Sequence, residues 1–527
     1  MGEIGFGSKS KSVHVLHQDA SQGKVMKIVH VHPKEASRQK AVFLPLFQKE
    51  TLGREGLFSY FPEKIKRVLN EFAKKEFTGE EGETKSLWLS EERQRIILFG
   101  LGEKSKWNER KNPILPRQLV RYAKKEKISE FASPLPLARN TDVAEAASSF
   151  AANAVMADYE HNRYRTAPKE GWPEIRRINL FGEKNNLPAM EKGIAQGIIV
   201  GEETNLAREL ANTPGGDMTP RHLAEAAKRA GRKAGFRVKI LDERAIKKLG
   251  MGGVLGVAKG SAEKPRFIIL EYLKGAKAQK PLVLVGKGVT FDTGGLNLKP
   301  EHGIYEMHMD MSGGAAVIHG MAAIARLKLP INLVGLIPAV ENMPSGSSYR
   351  PGDVLKTMSG KTIEVLNTDA EGRVILSDAL YYGTKYKPGL MIDFATLTGA
   401  AHVALGNYAS ALFYNREKLA PKLVEVGRRS GDYVWPLPLW DEYLPEIKGT
   451  FGDLANIGKG DRYGGAIHGA KFLEQFVGET PWAHVDIAPK MTTVESEHLA
   501  KGASGVGVRY IVELAKDYPE LLKTLTK

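Results

Sequence analysis

Residues 367–373 read Asn367-Thr368-Asp369-Ala370-Glu371-Gly372-Arg373, and this stretch decides the fold class that the sequence predicts. It follows a predicted strand at Thr362–Leu366 and opens a predicted helix at Glu371–Tyr386. Two carboxylates and a guanidinium therefore stand where a strand ends and a helix begins. In open α/β sheets, ligands bind at the carboxyl ends of the strands, and a helix N-terminus favours anions. Helix capping by Asp369, with an ordinary acidic first turn, is the alternative that this motif alone leaves open.

A second candidate segment is the glycine-rich stretch Gly286–Pro300, which follows a predicted strand at Pro281–Val285. Asp292 lies among its glycines, with Lys287 and Lys299 on either side. A lysine normally has a pKa of about 10.4, so it acts as a neutral metal ligand only beside a strong cation or in a desolvated place. A plain glycine-rich turn is the alternative. The spacing matches neither a Walker loop nor a dinucleotide fingerprint.

The third segment is Glu306–Gly314, in which Asp310 stands between two methionines and before a run of small residues. This pattern indicates a carboxylate in an apolar wall. Helix capping by Asp310 or Ser312 is the alternative interpretation.

Four carboxylates would meet at one edge if the sheet brings these segments together: Asp292, Asp310, Asp369 and Glu371. Carboxylates buried in that number require cations, because their mutual repulsion and desolvation are costly. Oxygen ligands with one amine nitrogen favour zinc, manganese, magnesium or cobalt. Two ions that share carboxylates activate a water and polarise a carbonyl, which is hydrolytic chemistry.

The composition limits the class of protein. The chain has 527 residues, 42% hydrophobic and 26% charged, so it is long enough for more than one core and is not disordered as a whole. It contains no cysteine, which excludes disulfides, thiolate nucleophiles and cysteine zinc sites. No apolar run approaches the roughly 20 residues that span a bilayer, and the N-terminus lacks the apolar core of a signal peptide. We therefore expect a soluble, cytoplasmic protein with no membrane partner.

Strand-like and helix-like runs alternate along the chain, which predicts an α/β fold. We expect a small N-terminal α/β domain at residues 1–187, a linking helix at 188–213 and a larger C-terminal domain at 214–527. The larger domain is predicted to contain a mixed, mostly parallel central sheet flanked by helices. The charged stretch Lys74–Lys85 and the glycine-rich stretch Gly250–Gly260 are predicted to be loops.

The three acidic segments resemble those of the leucyl aminopeptidase (cytosol aminopeptidase) family of dinuclear metallo-aminopeptidases. Further similar stretches are Asn205–Pro214, Gly250–Ser261, Trp482–Ala488 and Gly502–Arg509. The resemblance implies a hydrolase that releases N-terminal residues, preferably leucine or other apolar residues, from peptides. It also implies attack by a hydroxide that bridges two divalent metal ions per subunit, manganese or zinc, and assembly as a homohexamer.

The resemblance implies a role for each candidate residue of the site. The implied ligands of a tight metal site are Lys287, Asp292, Asp310 and Glu371, and those of an exchangeable site are Asp292, Asp369 and Glu371. Lys299 is implied to stabilise the tetrahedral intermediate. Arg373 is implied to hold a bicarbonate as general base, which suits a side chain that grips anions and does not accept protons at neutral pH.

An apolar pocket is implied to select the substrate side chain. Its lining in the family is matched by Met307, Thr396, Gly399, Ala488 and Met491, with Leu397 beside them. Because methionine adapts its shape, we expect leucine and methionine substrates to be favoured. The alternative is that these are ordinary core residues. Lys490 stands where the family usually has a small residue, and it would narrow this pocket or bring a positive charge near it.

The charge balance raises a hypothesis of another class. The net charge is +15, and the excess of basic residues is denser in the N-terminal third. Such a surface favours polyanions, so DNA binding through the basic N-terminal domain is a predicted added role, with a merely solvated basic face as the alternative. No helix-turn-helix or aromatic-basic motif supports it. A catalytically inactive scaffold would lack one of the implied metal ligands, and none is missing.

Overall fold

A computed structural model of the chain describes residues 26–50, 61–90, 93–108, 110–136, 142–459 and 463–526. The N-terminal segment on which the location prediction rests, including Lys24 of the first predicted strand, lies outside these residues. The chain divides into two compact units. Unit 1 comprises Met1–Glu202 with Ser496–Ala500, and unit 2 comprises Glu203–Glu495 with Lys501–Lys527. The predicted bounds of the domains at residues 187 and 213 stay predictions.

Unit 1 contains a six-stranded sheet with the order β1-β6-β5-β2-β4-β3, parallel except for the β3–β4 pair. Its strands are β1 Lys27–Val31, β2 Ala41–Leu46, β3 Thr84–Leu89, β4 Gln94–Gly100, β5 Glu130–Pro134 and β6 Arg177–Phe181. Its helices are α1 Pro33–Ala36, α2 Glu63–Glu76, α3 Ile114–Lys125 and α4 Val143–Asp158.

Helices cover both faces of this sheet. Along β2, Phe43 packs in the cluster that contains α3 and α4, whereas Val42 and Leu44 pack in the cluster that contains α2. A strand buried on both sides requires an almost continuous apolar run, and all six residues of β2 are buried. A long helix, α5 Leu187–Asn212, continues without a break across the boundary of the units at residue 202.

Unit 2 contains a nine-stranded sheet with the order β16-β15-β18-β14-β9-β11-β8-β7, in which β10 also pairs with β11. The central strands β18, β14, β9 and β11 are parallel, and β8 and β7 are antiparallel additions. A separate three-stranded sheet has the order β12-β13-β17. The strands are β7 Arg237–Leu241, β8 Arg266–Leu273, β9 Leu282–Gly286, β10 Gly288–Asp292, β11 Asn332–Asn342, β12 Val354–Lys356, β13 Thr362–Glu364, β14 Leu390–Ala395, β15 Ser410–Tyr414, β16 Val434–Pro436, β17 Leu454–Ala455 and β18 Trp482–Asp486.

Helices flank the large sheet, with α8, α11 and α14 in the main core on one face and α6, α10 and α15 packed together on the other. The helices of unit 2 are α6 Pro220–Ala234, α7 Glu243–Lys248, α8 Gly252–Ala258, α9 Glu301–Ile304, α10 Ser312–Arg326, α11 Glu371–Thr384, α12 Gly399–Leu405, α13 Ala420–Ser430, α14 Gly465–Glu474 and α15 Val508–Thr526. The predicted fold class, a small α/β unit and a larger one with a mixed, mostly parallel sheet flanked by helices, is confirmed. Among the described helices, none combines the length and the apolar character needed to cross a bilayer.

One local prediction is wrong, and two others are confirmed over fewer residues than predicted. The stretch Gly250–Gly260 is not a loop, because helix α8 occupies most of it. A Cβ at Gly253 would lie 2.4 Å from Val374 O, so this glycine serves close helix packing and not a turn. The loop predicted at Lys74–Lys85 occupies only the residues between α2 and β3. The segment predicted as a strand at Thr362–Leu366 does contain a strand, but this strand belongs to the small sheet and not to the large one.

Candidate metal and catalytic site

Lys287 occupies the single position between β9 and β10. Its backbone N–H donates to the carbonyl of Phe394 at 3.0 Å, which ties it to the neighbouring strand β14. The side chain is only 4% exposed, and its Nζ lies 2.8 Å from Asp310 Oδ1 and 2.8 Å from Glu371 Oε1. Nζ also donates to the carbonyl of Thr396 at 2.9 Å. One buried ammonium therefore joins three segments that are distant in sequence.

Lys299 forms a second cation contact at the site. Its Nζ lies 2.9 Å from Asp292 Oδ2 and also contacts Asp369 Oδ1. The side chains of Lys299 and Asp369 are 16% and 32% exposed, so this part of the site is open to solvent. The backbone N–H of Lys299 donates to the carbonyl of Thr293, which closes the glycine-rich loop.

The carboxylates keep both lysines charged. Burial disfavours each ammonium, but Asp310 and Glu371 outweigh it at Lys287 and raise the pKa of that lysine. Asp292, followed by Glu371 and Asp369, has the same effect on the pKa of Lys299. In the absence of a metal ion, both lysines are therefore cations at neutral pH.

Asp310 lies at the C-terminal side of the short 3-10 turn Met307–Met309 and is 3% exposed. Its Oδ1 accepts the hydroxyl of Thr396 at 2.6 Å, and its Oδ2 has no hydrogen-bond partner among the described residues. Burial raises the pKa of Asp310 to about 6, although Lys287 opposes this shift. The N-cap of α10 is Met311, without a side-chain bond, so the capping alternative for this segment is wrong.

Asp369 and Glu371 lie at the start of α11. The N-cap residue of this helix is Ala370, so the capping alternative for Asp369 is also wrong. One oxygen from each of Asp292, Asp369 and Glu371 lies within 4.8 Å of the others. Burial, and then repulsion from Asp292, raises the pKa of Glu371 to about 8, and burial raises the pKa of Asp369.

This arrangement fits divalent cations. Four carboxylates converge with two lysines, and one carboxylate oxygen of Asp310 is buried without a hydrogen-bond partner among the described residues. Three carboxylate oxygens within 4.8 Å of one another form the kind of donor set that hard or borderline divalent ions prefer. Burial, together with repulsion from Asp292, raises the pKa values of Asp310 and Glu371, and divalent cations would offset both effects.

Arg373 lies one turn beyond Asp369 on α11 and is 7% exposed. Its Nε has no hydrogen-bond partner among the described residues. Burial lowers the pKa of Arg373 to about 10, against the opposing effects of Glu371 and Asp486, so the guanidinium remains charged at neutral pH. A Cβ at Gly469 of α14 would lie 3.3 Å from Arg373 Nη2, which shows how closely this helix covers the guanidinium. A buried cation with free donor capacity can bind a small anion.

The predicted pocket residues follow the ends of two neighbouring parallel strands. Ala395 of β14 pairs in register with Asp486 of β18. The predicted residues Thr396, Leu397 and Gly399 follow β14, and Ala488 and Met491 follow β18. Asp486 Oδ1 accepts the N–H groups of Leu397 at 3.0 Å and Ala488 at 3.1 Å, so one buried carboxylate joins the two segments.

The remaining predicted residues have different surroundings. Thr396 also contacts Asp310 and Lys287, so it belongs to the acidic centre as well as to the pocket segment. Met307 is half-buried in the turn that precedes Asp310, and this turn packs against β10. Lys490 is 3% exposed, and its carbonyl accepts the hydroxyl of Ser504.

Sequence reasoning missed the polar residues that hold these segments together. Asp486, Asn342 and Asn456 are fully buried, and each forms hydrogen bonds to a segment of the site. Asn456 donates to Asn367 O at 2.6 Å and accepts from Leu366 N at 2.8 Å. The only signal in the sequence is that Asn342 and Asp486 each end an apolar strand, where a polar residue faces the edge that binds ligands.

Residues 205–512 match the model of the cytosol aminopeptidase family, catalytic domain, and residues 43–168 match that of the N-terminal domain of the same family. A probable cytosol aminopeptidase of Chlorobaculum tepidum is 51% identical over 353 residues, 66% of this chain and 70% of that protein. A probable cytosol aminopeptidase of Geobacter sp. strain M21 is 42% identical over 448 residues, 83% and 89% of the two chains.

Solved structures give the same result. A mutant of tomato leucine aminopeptidase matches with a TM-score of 0.82 and 31% identity, over 93% of this chain and 96% of that one. The bottromycin maturation enzyme BotP in complex with Mn matches with a TM-score of 0.80 and 29% identity, over 91% and 99% of the chains. The fold, the acidic centre and these similarities together lead to one conclusion: the chain belongs to the cytosol aminopeptidase family of metal-dependent hydrolases and is an aminopeptidase.

Proposed function

We propose that this aminopeptidase prefers peptides with leucine or another apolar residue at the N-terminus and works with two divalent metal ions. The observation that carries the proposal is that one oxygen from each of Asp292, Asp369 and Glu371 lies within 4.8 Å of the others, with Lys299 beside them. Hydrolysis by two metals requires carboxylates that two ions can share. The proposed ions are manganese or zinc.

The proposed ligands divide into two sets that share two carboxylates. The tight set is Lys287, Asp292, Asp310 and Glu371, and the exchangeable set is Asp292, Asp369 and Glu371. When bound, such ions polarise a peptide carbonyl and lower the pKa of a water. Lys287 is a cation beside free carboxylates, and it becomes a ligand only if positive charge at those carboxylates lowers its pKa.

Lys299 is proposed to stabilise negative charge on the carbonyl oxygen of the scissile bond. Asp292 and Asp369 orient its ammonium and keep it protonated, so it remains a hydrogen-bond donor at neutral pH. A donor held in place before the reaction needs no reorganisation when charge develops on the oxygen.

Arg373 is proposed to bind bicarbonate, which would accept the proton of the attacking water. The guanidinium itself is unsuitable as a base, because it stays charged at neutral pH. Its Nε has no hydrogen-bond partner in the described part of the chain, and Arg373 lies on the same helix as Glu371, which supports an anion at this place.

The preference for apolar side chains is proposed to come from Met307, Thr396, Leu397, Gly399, Ala488 and Met491. Support comes from Asp486, which joins the segments of Leu397 and Ala488 beside the acidic centre. Lys490 follows Ala488 closely and is buried, so its effect is tested by comparing substrates with neutral and acidic side chains.

The experiment that tests the proposal is hydrolysis of leucine p-nitroanilide by the purified protein before chelation, after it, and after manganese or zinc is added back. We expect activity to disappear and return, with leucine and methionine p-nitroanilides cleaved faster than the glutamate compound. N-acetyl-leucine p-nitroanilide is the control, since a blocked α-amine prevents cleavage by an aminopeptidase. No cleavage in any state by folded protein would overturn the proposal.

Three further predictions concern partners and location. The homohexamer, the cytoplasmic location and DNA binding through the basic N-terminal domain are inferred from the sequence alone. Light scattering tests the hexamer. For DNA, we expect that any affinity from basic side chains falls steeply with salt, and the absence of binding at low salt would remove this role.

A further inference from the structure

Asn342 is the last residue of β11 and is fully buried. Its Nδ2 donates to Asp292 Oδ1 at 2.8 Å and to the backbone carbonyl of Thr368 at 2.9 Å. Its own backbone carbonyl accepts from the N–H of Thr293 at 3.0 Å and from the Thr293 hydroxyl at 2.8 Å. A single asparagine therefore joins the glycine-rich loop to the stretch that carries Asp369.

The two oxygens of Asp292 have different surroundings because of this contact. Oδ1 accepts from Asn342 Nδ2 and from the N–H of Gly294, each at 2.8 Å. Oδ2 faces Lys299 Nζ at 2.9 Å. With Oδ1 engaged by two donors, Oδ2 is the oxygen that shares the ammonium of Lys299 with Asp369. The direction of the carboxylate is thus set by neighbours that are not ligands themselves.

The partners of Asn342 explain why this position holds a side-chain amide. Its Nδ2 faces two acceptors, a carboxylate and a carbonyl, so only a donor satisfies the position. The carbonyl of Thr368 also accepts the Tyr349 hydroxyl at 2.7 Å, which fixes the second end of the link. A Cβ at Gly295 would lie 2.9 Å from Asn342 Oδ1, so a side chain at this position would displace the amide.

We propose that Asn342 is a positioning residue that sets which oxygen of Asp292 is offered to a divalent cation and the spacing between Asp292 and Asp369. This inference rests on the proposed function of the acidic centre. Groups that orient metal ligands typically change metal affinity or activity by about 10–100-fold when they are removed. Asn342 acts through its contacts with Asp292 and Thr368 and is not itself one of the proposed metal ligands.

The same strand provides a matched control. Asn332, the first residue of β11, is also buried, and its Nδ2 donates to the carbonyls of Ala276 at 2.9 Å and Gln279 at 3.0 Å. Asn332→Ala and Asn342→Ala each remove one buried side-chain amide that donates two hydrogen bonds, and both residues lie on the same strand. Only Asn342 reaches the acidic centre.

The test is a calorimetric titration of the full-length, chelator-stripped protein with manganese ions alone, for the wild type and both variants. We expect Asn342→Ala to weaken manganese binding by about 10–100-fold, and Asn332→Ala to stay within about twofold of the wild type. In hydrolysis assays, Asn342→Ala should lose activity at low manganese and regain most of it at high manganese, with little change in KM. If Asn342→Ala does not fold, Asn342→Leu, which keeps the volume, replaces it.

Each outcome has one meaning. Manganese affinity of a folded Asn342 variant within twofold of the wild type overturns the positioning role while leaving the proposed function intact. An equal loss of affinity in the Asn332 variant also overturns it, because the effect would then be general destabilisation. If the wild type neither binds manganese nor cleaves leucine p-nitroanilide, the proposed function itself fails.

Discussion

The two lysines of the acidic centre lie in different surroundings. The inner half, defined as Lys287, Asp310 and Glu371, has side chains that are at most 4% exposed. In the outer half, defined as Lys299, Asp292 and Asp369, Lys299 is 16% and Asp369 is 32% exposed. A cation among charged groups that are shielded from water is bound strongly and exchanges slowly. At a site open to solvent, water competes with the protein ligands for the cation. We therefore predict that a cation bound in the inner half would be held more tightly than one bound in the outer half.

Glu371→Ala removes the carboxylate that contacts both halves, so the largest effect is expected here. Hydrolysis should fall by about 10³-fold or more, because two-metal stabilisation is worth several kcal/mol. Metal content, measured by elemental analysis after desalting, should fall as well. Circular dichroism controls for unfolding. A folded variant with normal activity and metal content would show that the site is assigned to the wrong residues.

Arg373→Ala tests whether the buried guanidinium acts through an anion and not through the metals. Turnover should fall by about 10²–10³-fold, the range found when a preorganised donor is removed, with metal content unchanged. Added bicarbonate should accelerate the wild type and leave the variant unaffected. Loss of metal from the variant would instead make Arg373 a structural support of the ligands.

Asp369→Asn and Asp310→Asn sharpen the comparison of the two halves directly. Asp369→Asn should lose one ion per chain and retain a tightly held one, with activity reduced by about 10–100-fold and partly restored by excess metal. Asp310→Asn should lose the tightly held ion. Metal content after dialysis of varying duration separates the two results. Identical retention by both variants would break the distinction between the halves.

The smallest effect is expected for Asp378, a buried carboxylate that lies outside the acidic centre. It lies on α11, is fully buried, and accepts the N–H groups of Val254 at 3.0 Å and Met358 at 2.7 Å. Burial raises the pKa of Asp378 from 3.8 to about 7. The folded state therefore binds this proton more tightly, so the stabilisation is complete below about pH 4 and is lost as the pH rises to about 7.

The free energy of unfolding, measured by urea denaturation, should therefore decrease less between pH 4 and 7 in Asp378→Asn than in the wild type. One titrating proton accounts for a slope of at most about 1.4 kcal/mol per pH unit. Metal content should not change, since Asp378 lies two turns from Glu371. An unchanged slope would mean that the backbone donors keep this acid ionised throughout.

The sequence predicted the parts of the fold that depend on local patterns. The apolar run around Leu284 indicates a buried strand, because parallel strands covered on both faces need continuous apolar residues. The convergence of Asp292, Asp310 and Glu371 followed from their positions after strands and before helices. Lys287, which the family resemblance assigns to the same ligand set, contacts two of these carboxylates.

The parts that could not be predicted depend on tertiary contacts. From the sequence, the glycines near Gly253 predict a loop. In the structure they allow α8 to approach Val374 more closely than residues with a side chain could. Short runs such as Thr362–Leu366 look alike whether they join a large or a small sheet. Asn342 is one polar residue at the end of an apolar strand, and nothing in its neighbours reveals the carboxylate that it contacts.

The dispersal of Lys287, Asp310 and Glu371 over three chain segments has a consequence for heat tolerance. The unfolded chain holds no such cluster, so ions that bind it stabilise only the folded protein, by about 2.7 kcal/mol for each site at a free ion concentration 100 times the Kd. We therefore expect the melting temperature to rise with the concentration of the free metal ion. In a cell short of the divalent metal, we expect the enzyme to be less active and also more readily unfolded and degraded.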